Sequence, residues 1–363
     1  MYIMEFGPEP LHDIRGGGRT IHKGGNPMFA NSNHAPSRCR GFLKLASVAL
    51  AGALLLAGNP AAAQDAKLKK LTPFKMLMVP YFSPEQIAKD QGFFKKYNLD
   101  VELVKQVGQG VRGMQAMIAG HVPTGQGWGA PPTIQALAGG AKITTVLAGI
   151  ISTDGDFRLY SLAGSGITSA KDLIGKTVGI HNPGSYADYI LAGFVKGAGL
   201  DLAKVRRLTV PLPSMCQALL SKQIDAVALY SLFYVACTRK NPGKLHLLAK
   251  DNDALPPSAR LYSAYTFTTE YTEKNPDIVR AFVAGMKDAM AFIDKNPEAA
   301  TKIIAKRTGL PENLLLIPKF AKGGCIDAGA AAEWIKILTD LDVIKAGSVK
   351  PTGWFTNKFN PGC

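Results

Sequence analysis

A regular alternation of strand-like and helix-like segments constrains this chain more than any other feature of its sequence. Residues 74–79 read as a strand. Ser83-Pro84-Glu85-Gln86 then opens a helix: Ser83 suits the N-cap, Pro84 the first helical position, and Gln86 completes a capping box. Residues 101–107 alternate apolar and polar side chains as a strand does. Residues 114–119 and 133–137 carry helical patterning, and 144–151 read as a strand. This order predicts a largely parallel sheet with helices on both faces.

A second unit of the same kind follows. Strands are expected at 157–162, 177–180, 205–210, 226–230 and 245–249, with helices at 185–197 and 215–222 and a short helix and turn at 169–176. The polar stretch from Lys250 to Ser258, which contains Pro256-Pro257, reads as a linker. The last third is mainly helical. Asn275-Pro276-Asp277 and Asn296-Pro297-Glu298 are matching helix starts, with Asn as the cap, Pro first and an acid in the first turn. Between them Val279, Phe282, Val283, Met286 and Met290 form one apolar face. Another helix is expected over 328–341, and the Gly-, Pro- and Asn-rich tail over 351–363 is loose unless tied down.

The first 63 residues do not belong to this pattern. A basic patch, Arg38-Cys39-Arg40-Gly41-Phe42-Leu43-Lys44, precedes an apolar run from Leu45 to Gly58, and Pro60-Ala61-Ala62-Ala63 supplies small residues behind it. Basic, apolar and A-x-A segments in that order make a cleaved secretory signal, with cleavage expected near Ala63. The patch resembles a twin-arginine signal interrupted by Cys39. The apolar run is shorter than the roughly 20 residues a bilayer span needs. The chain carries a formal charge of +15. Its Lys and Arg are scattered, which fits attraction to anionic solutes and speaks against nucleic acid, whose binders concentrate charge on one face or arm.

Beyond the leader lie Cys216, Cys237, Cys325 and Cys363. An even number in an exported chain permits disulfides, and three pairings are open. Cys216 opens one expected helix and Cys237 ends its neighbour, while a bond from Cys325 to the final Cys363 would pin the tail, so these two pairs are favoured. No C-x-x-C or H-E-x-x-H spacing and no G-x-S-x-G elbow occurs beyond the leader, so no catalytic set, metal or cofactor is expected. Gly108-Gln109-Gly110-Val111-Arg112-Gly113 matches G-x-G-x-x-G. The acid that a dinucleotide site needs about 20 residues on is missing, because that region reads Gly125-Gln126-Gly127-Trp128-Gly129.

Several expected strands end in small or hydroxyl residues ahead of a helix: Tyr81-Phe82-Ser83, Trp128-Gly129-Ala130, Asn182-Pro183-Gly184-Ser185-Tyr186 and Tyr230-Ser231. Ligands of open α/β sheets lie beyond the carboxyl ends of the strands, where helix starts offer free N–H groups. Arg112 adds a guanidinium that can clasp a carboxylate or sulfonate, and the aromatic rings suit an organic body.

Ala88-Lys89-Asp90-Gln91-Gly92-Phe93-Phe94 followed by Leu99-Asp100-Val101-Glu102 resembles the opening of periplasmic solute-binding proteins of the nitrate, taurine and sulfonate ABC-transporter class, which are related to thiamine-pyrimidine-precursor binding proteins. Lys171-Asp172-Leu173-Ile174-Gly175-Lys176-Thr177-Val178-Gly179 resembles their lead into the second lobe, and Gly199-Leu200-Asp201, Ile224-Asp225-Ala226 and Asn296-Pro297-Glu298 follow in family order. The resemblance implies a two-lobed α/β periplasmic-binding-protein fold (Venus-flytrap, type II) with two hinge crossings. Lobe I would comprise 64–153 plus 259–363, and lobe II 154–258. It also implies a periplasmic monomer that captures a small organic anion in the interlobe cleft and delivers it to an ABC permease of the inner membrane. A ligand-presenting sensor or an exported enzyme on the same fold are the alternatives. Carried over by position, Ser83, Trp128, Ser185 and Asp225 fall in or beside ligand loops. Together with Tyr81, Phe82, Arg112, Gly129, Asn182, Gly184, Tyr186 and Tyr230 they make the expected site. One departure stands out: Gly120-His121-Val122-Pro123-Thr124 carries no carboxylate where the family often has an Asp.

Overall fold

Strands and helices do alternate. The computed structural model describes residues 71–78, 83–105, 111–125, 128–153 and 155–363. The expected leader and the first glycines of the G-x-G-x-x-G motif lie outside the described residues. The first stretch runs β1 (Thr72–Met78), α1 (Pro84–Asp90), α2 (Phe93–Lys96), β2 (Leu99–Lys105), α3 (Val111–Ile118), β3 (Thr124–Gly125), α4 (Ala130–Ala138), β4 (Ile143–Ala148) and β5 (Ile150–Ile151). The second runs β6 (Phe157–Leu162), β7 (Thr177–Ile180), α5 (Tyr186–Gly197), β8 (Arg206–Thr209), α6 (Met215–Leu220), β9 (Ala226–Tyr230), α7 (Ser231–Lys240), β10 (Leu245–Lys250) and α8 (Asp251–Ala254). The chain then returns through β11 (Ala264–Thr268), α9 (Thr269–Lys274), α10 (Pro276–Lys295), α11 (Pro297–Thr308), β12 (Lys319–Phe320), α12 (Ala328–Asp340) and α13 (Pro351–Trp354).

The result is a two-lobed α/β fold. One sheet is five-stranded, in the order β10-β6-β9-β7-β8, and is built wholly from the second stretch. The others are the parallel trio β2-β1-β3 and the pairs β11-β4 and β12-β5, so the returning chain completes the part that the first stretch began. The main chain passes between the two groups of sheets twice, after β5 and again after β10.

The sheets are less parallel than expected. β6 runs antiparallel to both β10 and β9, and β11 runs antiparallel to β4. β11 lies in the last third, which was read as mainly helical, although Tyr265 and Phe267 alternate with Thr266 and Thr268. The stretch from Lys250 is not a loose linker either: α8 forms there, and Asp251 is buried. Two caps also differ. Ser83 accepts a hydrogen bond from the Gln86 N–H, but the Gln86 side chain bonds Asp90 instead of closing a capping box. Asn275 and Asn296 precede α10 and α11, yet each side-chain amide turns back to the carbonyl of Tyr271 or Phe292 in the helix before. In both Asn-Pro steps one residue separates two helices, so the orphaned carbonyls of the earlier helix are the nearest partners.

The apolar face of α10 behaves as its spacing requires. Val279, Phe282, Val283, Met286 and Met290 are buried, and Phe282 sits 5.5 Å from Phe74 and 5.9 Å from Phe94, ring centre to ring centre. Gly285 allows α10 to approach α2, since a Cβ there would lie 2.7 Å from the Phe94 ring. Both favoured disulfides are present. Cys216–Cys237 and Cys325–Cys363 join Cα atoms 5.8 and 5.5 Å apart, well within the span a disulfide bridges. The second holds the tail, where Trp354, Phe359 and Asn360 are buried.

Candidate functional site

Because β6 is antiparallel to β9, Phe157 at the start of β6 pairs with Tyr230 at the end of β9. The carboxyl end of β7 reaches the same edge of the sheet. Onto this edge the fold delivers Tyr186 from the start of α5, Tyr262 from the second crossing and Trp334 from α12. Phe157 lies 5.0 Å from Tyr186, 5.2 Å from Tyr230 and 5.3 Å from Tyr262, ring to ring. Tyr186 lies 5.3 Å from Tyr262 and 5.6 Å from Trp334, and Tyr189 meets Trp334 edge-on at 6.0 Å. Tilted and edge-on contacts at these distances are the favourable aromatic geometries. Trp334 Nε1–H donates to the Leu261 carbonyl at 3.2 Å, which fixes the indole against the second crossing. The box thus draws rings from both groups of sheets and from the chain between them.

Polar groups surround the box. The Asp251 carboxylate, almost fully buried, accepts from Ser152 Oγ at 2.5 Å and from the amides of Phe157 and Asn252. Burial pushes its pKa up against those hydrogen bonds and the nearby Arg260 charge. Burial also drives the Tyr186 phenol well above its ordinary value, with Asp251 and Asp156 adding to the shift and Arg260 opposing it. The hydroxyl therefore stays protonated. Among the described residues the Arg260 Nε, the Asn252 Oδ1 and the His181 Nδ1 are enclosed without a hydrogen-bond partner, and the Tyr262 hydroxyl faces that of Tyr230.

His181 yields a pH prediction. Desolvation lowers its pKa to about 4. The unfolded chain, with an ordinary His near 6.5, then binds a proton that the native chain refuses between those two values. Stability is full above pH 6.5 and falls as the pH drops toward 4. With partial exposure taken into account, wild type should lose about 1.5 kcal/mol more than His181→Asn between pH 7 and pH 5. Equal losses in urea melts of the two proteins would refute this.

The helix starts differ in what they offer an anion. At α5, Ser185 Oγ accepts from the Asp188 N–H at 3.3 Å, and Asp188 Oδ2 accepts from the Gly184 N–H at 2.8 Å. The amides of Tyr186 and Ala187 are left at the head of a 12-residue helix, where the dipole favours negative charge. At α4 the second and third helical residues are Pro131 and Pro132, which have no N–H. At α1 the first helical residue is Pro84, and Glu85 follows, fully buried, accepting from Ser83 Oγ and from Tyr265 Oη at 2.5 Å. Burial raises the Glu85 pKa. Of these three helix starts, α5 alone keeps two consecutive free amides, and the carboxylate in its first turn, Asp188, is engaged by the Gly184 N–H and by Arg207 Nη1 at 3.3 Å.

The structure brings together Asn182, Gly184, Ser185, Tyr186 and Tyr230 at the edge just described. Tyr81 and Phe82 lie outside the described residues. Ser83 is buried with its hydroxyl spent on Glu85. Arg112 is exposed on α3. Trp128 packs into a small separate core with Leu77, Met114, Met117, Val122 and Ile143, its Nε1 enclosed without a partner. Gly129 backs onto the Tyr262 carbonyl, only 3.1 Å from where a Cβ would stand. Asp225 sits away from the group: it precedes β9 and its carboxylate accepts from the Thr177 N–H at 2.8 Å, at the amino ends of two parallel strands. There it ties strands together at the edge opposite the box. Phe157, Tyr189, Asp251, Tyr262 and Trp334 were not anticipated. The alternation of Tyr265 and Phe267 with Thr266 and Thr268 was the readable sign of β11, and nothing local marks where Trp334 lands.

The sequence pattern of the NMT1/THI5-like family matches residues 79–300. The chain belongs to that family. A protein of Brucella abortus (strain 2308) whose name places it among binding proteins is 28% identical to this family member over 221 residues, 61% of this chain and 66% of that one. The match therefore spans just under two thirds of the relative's length. In architecture this family member is similar to the alkanesulfonate-binding protein SsuA from Xanthomonas axonopodis pv. citri bound to MOPS, with a TM-score of 0.65, 18% identity, and coverage of 78% and 98% of the two chains. It is also similar to the periplasmic nitrate-binding protein NrtA from Synechocystis PCC 6803, with a TM-score of 0.65, 12% identity, and coverage of 80% and 87%. Both likenesses confirm the periplasmic-binding-protein fold. The fold also carries chemistry, since the desulfurization enzyme DSZB superposes with a TM-score of 0.58 at 14% identity, covering 79% and 97%. Among the described residues of this family member, no group of three or more His, Cys, Asp or Glu can hold a metal ion. No described helix is long and apolar enough to cross a membrane.

Proposed function

We propose that the chain is the periplasmic solute-capturing component of an ABC importer, exported by its leader. It holds a small organic anion between its lobes and closes over it for delivery to a membrane permease. The observation that carries this reading is the aromatic box beside the free amides of α5. The amides suit a carboxylate or sulfonate, and Phe157, Tyr186, Tyr230 and Tyr262 suit an aromatic or alkyl body. The diffuse positive charge of the chain favours encounter with anions. The lobes are taken to divide near Thr153 and Ala259, at the two crossings, so that each contributes part of the pocket.

A thermal-shift screen of sulfonates, aromatic carboxylates, nitrate and pyrimidines tests the reading. A ligand present at 100 times its dissociation constant adds about 2.7 kcal/mol, which raises the melting temperature by several degrees. An organic anion should give the strongest shift. For that hit, Ser185→Ala removes the cap of α5 and is expected to weaken binding about fivefold, from a cap worth about 1 kcal/mol. A strongest shift from a cation would overturn the anion assignment. Turnover of the hit would favour an exported enzyme on the same fold.

A further inference from the structure

The box does not account for the contact between α4 and the loop that follows β7. Gln135, half-buried on α4, donates its side-chain amide to Tyr189 Oη at 3.1 Å and to the Gly184 carbonyl at 3.5 Å. We infer that Gln135 is a clasp between the lobes, a positioning residue that sets how long the cleft stays closed. This rests on the two-lobed capture proposed above.

The surroundings are built for this contact. Gly184 has φ +71°, a left-handed conformation that favours glycine, and a Cβ there would lie 3.1 Å from the Gln135 amide nitrogen and 3.3 Å from its oxygen. Glycine is thus required twice, for the turn and for the close approach. The loop is held in place from below. Asp188 accepts from the Gly184 N–H and from Arg207 Nη1 at 3.3 Å, and Ser185 caps the helix. Tyr189 is braced by Trp334. Beside the clasp a groove of about 380 Å³ separates α3 and α4 from the loop, with Met114, Ile118, Pro132 and Pro183 among its walls. Across this largely apolar gap the Gln135 amide makes the polar connection. It borders solvent, so opening exchanges both hydrogen bonds for water. A bond of that kind biases an equilibrium instead of locking it, by about fivefold in the closed-to-open ratio.

The test begins with the ligand-free protein. Gln135→Met keeps the length and apolar bulk of the side chain and should leave the melting temperature unchanged while removing the hydrogen bonds. Small-angle scattering should give Gln135→Met a larger radius of gyration than wild type, with Tyr189→Phe in between, and amide exchange in the loop from His181 to Tyr186 should speed up. The same radius and the same exchange in all three proteins would overturn the clasp. In a second arm MOPS serves as the probe. If it binds wild type, Gln135→Met should raise its dissociation rate about fivefold with the association rate unchanged, and an unchanged dissociation rate would count against the clasp. If MOPS does not bind wild type, a sulfonate ligand loses support and the scattering result still decides the clasp.

Discussion

Replacing Trp334 with alanine should destabilise the protein by about 3–5 kcal/mol, the usual cost of removing a fully buried tryptophan. Trp334 has no exposed surface, touches the rings of Tyr186 and Tyr189, and donates to the Leu261 carbonyl at 3.2 Å. Alanine leaves a cavity where α12 meets the second crossing and orphans that carbonyl. Trp334→Phe retains much of the packing and loses the donor, so a smaller loss of about 1–3 kcal/mol is expected. Urea unfolding should show both as lower midpoints at an unchanged slope. A loss below 1 kcal/mol for Trp334→Ala would mean that α12 does not support the box. A second consequence reaches the ligand: Tyr186 and Tyr189 lose their brace, so the hit from the screen should bind Trp334→Ala more weakly even where the variant remains folded.

Removing the Cys325–Cys363 bond with Cys363→Ser should cost about 4 kcal/mol in the chain-entropy picture, because the bond closes a loop with a sequence separation of 38. The Cys216–Cys237 bond has a separation of 21, and its loss should cost about half a kcal/mol less. The tail has further attachments. The Thr356 N–H donates to the Thr145 carbonyl at 2.9 Å, Lys287 Nζ donates to Asn360 Oδ1 at 2.5 Å, and the Trp354 and Phe359 side chains are buried. Cys363→Ser should therefore keep its tail docked in the native state and fail mainly by a lower melting temperature, since the bond acts chiefly on the unfolded chain. Peptide mapping of unreduced protein should recover both linked pairs; four alkylatable thiols would refute them.

The sequence by itself determined whatever depends on neighbours along the chain. Pro84 after Ser83 starts α1, and the apolar spacing from Val279 to Met290 buries one face of α10, because caps and helical periodicity act within a few residues. The bounds of β6, β7 and β9 were legible for the same reason, as short apolar runs between turn signals. Part of the candidate site we propose was legible as strand ends: Asn182, Gly184, Ser185, Tyr186 and Tyr230 stand where an α/β sheet exposes its loops. Even the poor anion-holding capacity of α4 is written in Pro131-Pro132, since proline has no N–H.

Tertiary structure decided the rest, because it depends on where distant segments meet. β11 pairs antiparallel with β4 across more than a hundred residues, and no local pattern reports such a partner. Asn275 and Asn296 turn away from the helices they precede because a nearer carbonyl is available in the helix before. Asp225 entered the expected site through the family resemblance, yet it precedes β9 whereas Tyr230 ends it, so it lies at the amino end of the strand, opposite the box. Tyr262 and Trp334 reach the box only because the chain returns after β10 to complete the first group of sheets. The Gln135 contact with Gly184 and Tyr189 exists only once α4 and α5 face each other across the groove.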